Sequence, residues 1–183
     1  AGWKVAAALE RVASLRPAVH ALIDAGALVT GYTNREVAQY LLPRLDATFE
    51  GVVYLDESHS KAILLRSGAT MGLERCGLPK ERRFSFFDQV HTTGMDIPQP
   101  AGARAILTLG ADLTFRDFAQ AAYRMRGIGK GQTLVLFMTP EVERPVRTQS
   151  ALGRGVTEQQ REAQLAALDG GGGGAAAARG RLE

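Results

Sequence analysis

Several short strings in this chain carry side chains able to do chemistry. Asp56-Glu57-Ser58-His59 follows the apolar run Val52 to Leu55. A strand ending in Asp-Glu-x-His is one way to set a Mg²⁺-holding Asp beside a water-activating Glu. No Gly-x-x-x-x-Gly-Lys-Ser/Thr loop precedes it to hold phosphates. Asp and Ser favour turns, so a hairpin turn with solvated charges is the reading adopted. Gly127-Ile128-Gly129-Lys130-Gly131-Gln132 imitates a phosphate loop, but Gly follows its Lys, and a strand pattern follows where a helix is needed. A thiol hydrolase needs a Cys nucleophile with a His beside it. Cys76 is the only thiol, and His20, His59 and His91 are the only imidazoles. Cys76 stands in no nucleophile motif and reads by default as an inert loop residue.

Two further strings fit together. His91-Thr92-Thr93-Gly94-Met95-Asp96-Ile97-Pro98 follows a strand pattern, and Gln120-Ala121-Ala122-Tyr123-Arg124-Met125-Arg126 falls on a helical one, with the strand-like Ala105 to Leu109 between them. This order resembles motifs V and VI in the second RecA-like lobe of superfamily 2 helicases. There, a Thr-x-x-x-Gly-Asp-Ile-Pro-like string precedes a Gln-x-x-Gly-Arg-x-x-Arg helix. Phosphoryl transfer concentrates negative charge, and guanidinium groups projected from a neighbouring lobe stabilise it without covalent chemistry. The resemblance makes Arg124 the arginine finger, with Arg126 a further candidate, and sets Thr93, Gly94, Asp96 and Gln120 along the nucleotide cleft between lobes. The chain departs from the pattern in having Tyr123 before the Arg and Arg126 two residues on rather than three. The competing reading is a basic helix C-terminus in which Arg124, Arg126 and Lys130 complement the dipole.

Over residues 20–143, and most specifically from Phe86 to Thr133, the chain resembles the C-terminal part of very large eukaryotic DUF3638/DUF3645-containing proteins. The strings that carry this are ALIDAGALVTGYTNREVA, FFDQVHTTGMDIPQPAGARAILTLGADLTFRDFAQAAYRMRGIGKGQT and FMTPEV. Members are commonly labelled ubiquitinyl hydrolases or ubiquitin thioesterases. The resemblance implies a parent protein that acts on ubiquitin or ubiquitylated proteins by thiol chemistry, this lobe being accessory. Where relatives resemble Asp-Glu-Ala-His, this chain has Asp88-Gln89-Val90-His91, so a carboxylate base is missing. Asp88 and His91 remain candidates for a polar site at the end of a strand, where ligands of parallel sheets bind. No cofactor or metal is expected within the chain itself. ATP and Mg²⁺ enter only with the triphosphatase alternative, and an upstream lobe is then the expected partner. A third alternative is a degenerate RecA-like scaffold.

The elements that must position these residues follow from hydropathy patterning. Trp3 to Leu15 reads as an amphipathic helix, and Val19 to Ile23 as a second short one after Pro17. Ala27 to Thr30 has the β-branched look of a buried strand. Thr33 or Asn34 caps a helix to about Leu45. Val52 to Leu55, Ala62 to Leu65, Phe84 to Phe87, Ala105 to Leu109 and Thr133 to Phe137 read as strands, with loop and at most one helical turn from Ser67 to Arg83. Thr114 to Arg126 reads as a helix, and Pro140 as the end of the last strand. Alternating strands and helices predict a three-layer α/β domain with a largely parallel sheet, here a RecA-like lobe. The expected division is a helical lead-in at 1–26, the lobe at 27–143, and a short helix from about Thr157 with a disordered Gly/Ala-rich tail at 144–183.

Composition agrees with one domain. The chain has 183 residues, 45% of them hydrophobic and 22% charged, enough for a core and too apolar for full disorder. There is no run of about 18 apolar residues to span a membrane, and no basic region followed by an apolar stretch to act as a secretory signal. The net charge of +3 is too mild by itself to argue for nucleic acid. One Cys excludes a disulfide framework and a Cys-rich zinc site, and it points to a reducing, cytoplasmic setting. Ala1 in place of Met suggests a fragment of something longer.

Overall fold

The computed structural model describes residues 4–91 and 96–153, with the side chains of His91 and residues 151–153 left aside. Thr93 and Gly94 of the helicase-like string, the helix expected from Thr157 and the Gly/Ala-rich tail lie outside the described residues.

The fold is a three-layer α/β sandwich around a seven-stranded, mostly parallel sheet. Its strands are β1 (Ala21–Ile23), β2 (Gly51–Leu55), β3 (Lys61–Leu65), β4 (Thr70–Gly72), β5 (Arg83–Phe87), β6 (Arg104–Leu109) and β7 (Thr133–Met138), in the order β4-β3-β2-β5-β1-β6-β7. The five strands β2, β5, β1, β6 and β7 run parallel, while β3 and β4 fold back as an antiparallel edge. Period-two alternation sorts the strand residues onto two faces. Leu22, Val52, Tyr54, Phe84, Phe86 and Ile106 point to one face, which α1 (Val5–Ser14) and α2 (Asn34–Leu41) cover with Leu9, Val12, Val37 and Leu41. Ala21, Ile23, Val53, Phe87 and Leu107 point to the other, covered by Ile97, by the end of α3 (Phe115–Ala122) through Ala121 and Ala122, and by Met125 in the turn beyond it. A fourth helix, α4 (Pro140–Gly153), follows β7. No helix among the described residues is long and apolar enough to cross a membrane.

Most expected elements appear in place. Thr33 opens α2 with a full capping box: its side chain accepts from Glu36 N–H, and the Glu36 carboxylate accepts from Thr33 N–H at 2.7 Å. The Asp56 to Ser60 segment is the β2–β3 hairpin turn, held by Asp56 Oδ1 accepting from Ser58 and Ser60 N–H at 2.9 Å each. His59 takes the positive φ of 56° there. The Gly127 to Gln132 string folds around its own Gln132, whose Oε1 accepts from Gly127 N–H at 2.7 Å, and β7 follows directly.

Other expectations need correction. Val19 to Ile23 is no helix: Ala21–Ile23 is β1, the middle one of the five parallel strands, paired to β5 and β6 on either side. A short apolar run buried on both faces has no periodicity to separate the two states. The described part of the expected helical lead-in at 1–26 is therefore a helix plus an inner strand of the sheet. Ala27 to Thr30 is not a strand, because the side chain of Asp24 takes the N–H groups of Leu28 and Val29, each at 2.9 Å. Residues 67–83 hold the short strand β4 and two 3₁₀ turns besides loop. Pro140 starts α4 instead of only ending β7, as its fixed φ and missing N–H suit a first helical position. Consequently α4 runs across the division expected at 143/144.

At the amino end of β1, His20 is a pH-sensitive joint. Its Nδ1 accepts from Arg104 N–H at 3.4 Å, and its ring stands edge-on to Phe49 with centroids 5.4 Å apart. Burial foremost, then the charge of Arg104, lowers the His20 pKa from its ordinary value. The unfolded chain therefore takes up the proton first, so this contribution is present above about pH 6.5 and is lost as pH falls below it. Thermal unfolding at graded pH is expected to show Tm declining from pH 7.5 towards 5.5, and His20→Gln to flatten that decline.

Candidate functional site

In a parallel sheet the connections leaving the carboxyl ends diverge where the strand order reverses, and ligands bind in the opening. Here β1 leads through α2 to β2 on one side, while β6 leads through α3 to β7 on the other. The switch point lies between the neighbouring strands β1 and β6.

Asp24, the residue after β1, builds that point. It is 2% exposed. Its Oδ1 accepts from the Thr108 hydroxyl at 2.7 Å, in addition to the Leu28 and Val29 bonds. Thr108 Oγ1 in turn accepts from Gly26 N–H at 2.9 Å. This network draws the two strand ends together until a Cβ on Gly26 would stand 2.4 Å from Gly110 N, and one on Gly110 would stand 2.6 Å from Gly26 O. Neither position has room for a side chain. The β1 and β6 exits border a crevice of about 350 Å³, whose walls include Gln89 and Gln120.

The two helicase-like strings meet elsewhere, on the sheet face that α3 covers. Asp96 lies on the crossover from β5 to β6, and its Oδ1 is 3.5 Å from Arg126 Nε. Arg126 also stacks over the Tyr123 ring, 4.2 Å from its centroid. Arg124 is 7% exposed. Burial foremost, then the charge of Arg126, lowers its pKa from the ordinary value, with Asp96 opposing. The Arg124 guanidinium still keeps its charge at neutral pH. The arginines were expected on a helix, but α3 ends at Ala122 with Tyr123 as its C-cap, and Arg124 and Arg126 follow in the turn beyond. The side chains of Arg126 and Asp96 are 43% and 54% exposed, so water screens their pair. Asp96→Ala is expected to change unfolding free energy by less than about 1 kcal/mol, read from urea midpoints.

Of the expected site residues, the structure brings Asp96, Arg124 and Arg126 together. Gln120 stands apart from them, one turn earlier on α3, at the crevice. Asp88 is half-buried directly after β5, and His91 ends the 3₁₀ turn that follows. Cys76 is half-buried, packed against the core on the α3 side of the sheet. Among the described residues, no imidazole is hydrogen-bonded to its thiol. Asp24, Thr108 and the Gly26–Gly110 approach were missed by sequence reasoning. The available signal was a Gly close after each of two apolar runs, read for Gly26 only as a stop.

The chain matches no protein family, no curated protein and no solved structure.

Proposed function

We propose that this domain acts as the second lobe of a nucleoside triphosphatase, presenting guanidinium charge to a nucleotide held by an upstream lobe. The observation that carries the reading is the convergence of Asp96, Arg124 and Arg126 from two separate strings. Two cations held side by side repel, and the arrangement repays that repulsion when a polyanion approaches. Arg126 has the exposure to reach out, with Asp96 as its resting partner. Arg124 is a positioning residue beneath it, adding positive field and fixing the turn. ATP and its Mg²⁺ belong to the upstream lobe in this reading. The test is ATP hydrolysis by the full-length protein: turnover that depends on Arg126 is expected, and absence of turnover contradicts the reading.

A second reading follows from the family resemblance, with this lobe an accessory part of a ubiquitin-directed thiol hydrolase in the cytoplasm. Among the described residues no imidazole is hydrogen-bonded to the Cys76 thiol, which favours the accessory form. A thiol-reactive ubiquitin probe on the full-length protein is expected to leave an adduct that survives Cys76→Ala. An adduct lost with Cys76 would place the nucleophile here, and no adduct at all would sink the ubiquitin reading.

A further inference from the structure

Tyr123 carries a large ring that the core does not use. It is 63% exposed and belongs to neither apolar face of the sheet. Its hydroxyl makes no hydrogen bond among the described residues. The other Arg–Tyr stack of the fold differs on this point. Arg44 lies over the Tyr40 ring at 3.8 Å, but there the Tyr40 hydroxyl donates to Glu10 Oε1 at 3.0 Å. Arg44 also donates to the Tyr40 carbonyl at 2.9 Å. That pair joins α2 to α1. The Tyr123 side chain has Arg126 as its one ring or hydrogen-bond partner among the described residues, at 4.2 Å.

Asp96 approaches the same guanidinium at Nε, 3.5 Å away. The group is thus engaged on a face by the ring and at Nε by the carboxylate, and its terminal nitrogens make no hydrogen bond among the described residues.

We propose that Tyr123 is a positioning residue: its ring holds the Arg126 guanidinium ready for the nucleotide, and it acts only through Arg126. This rests on the triphosphatase reading. An exposed arginine loses rotamer freedom when it engages a ligand, and stacking on a fixed aromatic face removes part of that loss beforehand. The ring is carried on a fixed backbone, because Tyr123 is the C-cap of α3 and its N–H donates to the Ala119 and Ala121 carbonyls. The two departures from the helicase-like string then become one arrangement. A Gly at 123 has no face to offer, and an Arg at 126 stands three residues beyond the ring it needs.

The test is ATP hydrolysis by the full-length protein carrying Tyr123→Leu, Tyr123→Phe or Phe115→Leu. Tyr123→Leu is expected to lower kcat about tenfold with KM little changed. Tyr123→Phe keeps the face and should restore most of the rate. Phe115→Leu removes another exposed ring of α3 and should match wild type. In an Arg126→Ala background, Tyr123→Leu should cost nothing further. A second readout is the Arg126 Nε–H resonance of the 183-residue chain, assigned by its loss in Arg126→Lys. It is expected upfield, from the ring current, and displaced downfield in Tyr123→Leu. The proposal is overturned if Tyr123→Leu matches wild type, if Tyr123→Phe is as slow as Tyr123→Leu, or if Phe115→Leu is equally slow. A further loss in the Arg126→Ala background overturns it too. Turnover with a resonance that Tyr123→Leu leaves in place overturns this proposal alone, whereas no turnover by wild type overturns the triphosphatase reading and this with it.

Discussion

Replacing Arg126 with alanine is expected to lower ATP turnover by the full-length protein about a thousandfold, the scale of effect seen when an arginine finger is removed. The expectation rests on where its charge sits. Its guanidinium is partly exposed and tethered to Asp96 at 3.5 Å, so it can exchange one anionic partner for another. A transferring phosphoryl group is such a partner, and its charge is greatest in the transition state. Loss should therefore fall on kcat more than on KM. Lysine at this position keeps the charge but loses the planar fork and the stacking over Tyr123, so Arg126→Lys should recover only a small part of the rate. Arg124→Ala is expected to lower kcat and also stability, because it empties a buried position. A raised KM with kcat unchanged for Arg126→Ala would instead mark a residue that only binds.

The largest expected effect on stability is at Asp24. Asp24→Ala removes the acceptor for Leu28 N–H, Val29 N–H and the Thr108 hydroxyl together. Buried donors left without partners cost about 1–3 kcal/mol each when they cannot reach water. Leu28 and Val29 are only half-buried and recover some hydration, so about 3 kcal/mol in total is expected. That is a large share of the 5–15 kcal/mol by which domains of this size are stable. Asp24→Asn should cost less, because its single oxygen can still serve Thr108 and Leu28 while Val29 loses its bond. Urea denaturation with an unchanged slope would report the loss as one of stability. If Asp24→Ala and Asp24→Asn both unfold at the wild-type midpoint, the network does not hold the strand exits.

Long apolar strands were legible because burial on both faces leaves a continuous hydrophobic run, as in Val52 to Leu55 and Ala105 to Leu109. Helix starts were legible through Thr33 and Thr114, whose side chains accept the N–H groups three residues on. The middle strand of the parallel set was not. Three residues, Ala21–Ile23, cannot show a period, while the β-branched Val29 and Thr30 nearby carried more strand character. What decides between them is Asp24, whose partner Thr108 is remote in sequence. The arginine cluster was legible as two strings, although their meeting depends on a crossover and a helix end that spacing alone does not place. The crevice depends on two glycines that come together only when β1 and β6 pair, so neither loop announces it.

Chemical rescue tests the central claim most directly. Free guanidinium, kept well below denaturing concentrations, is added to Arg126→Ala full-length protein and to wild type while ATP hydrolysis is followed. The account predicts that the variant's rate rises saturably with guanidinium while the wild-type rate does not. Variant and wild type turning over ATP at the same rate without guanidinium would contradict it.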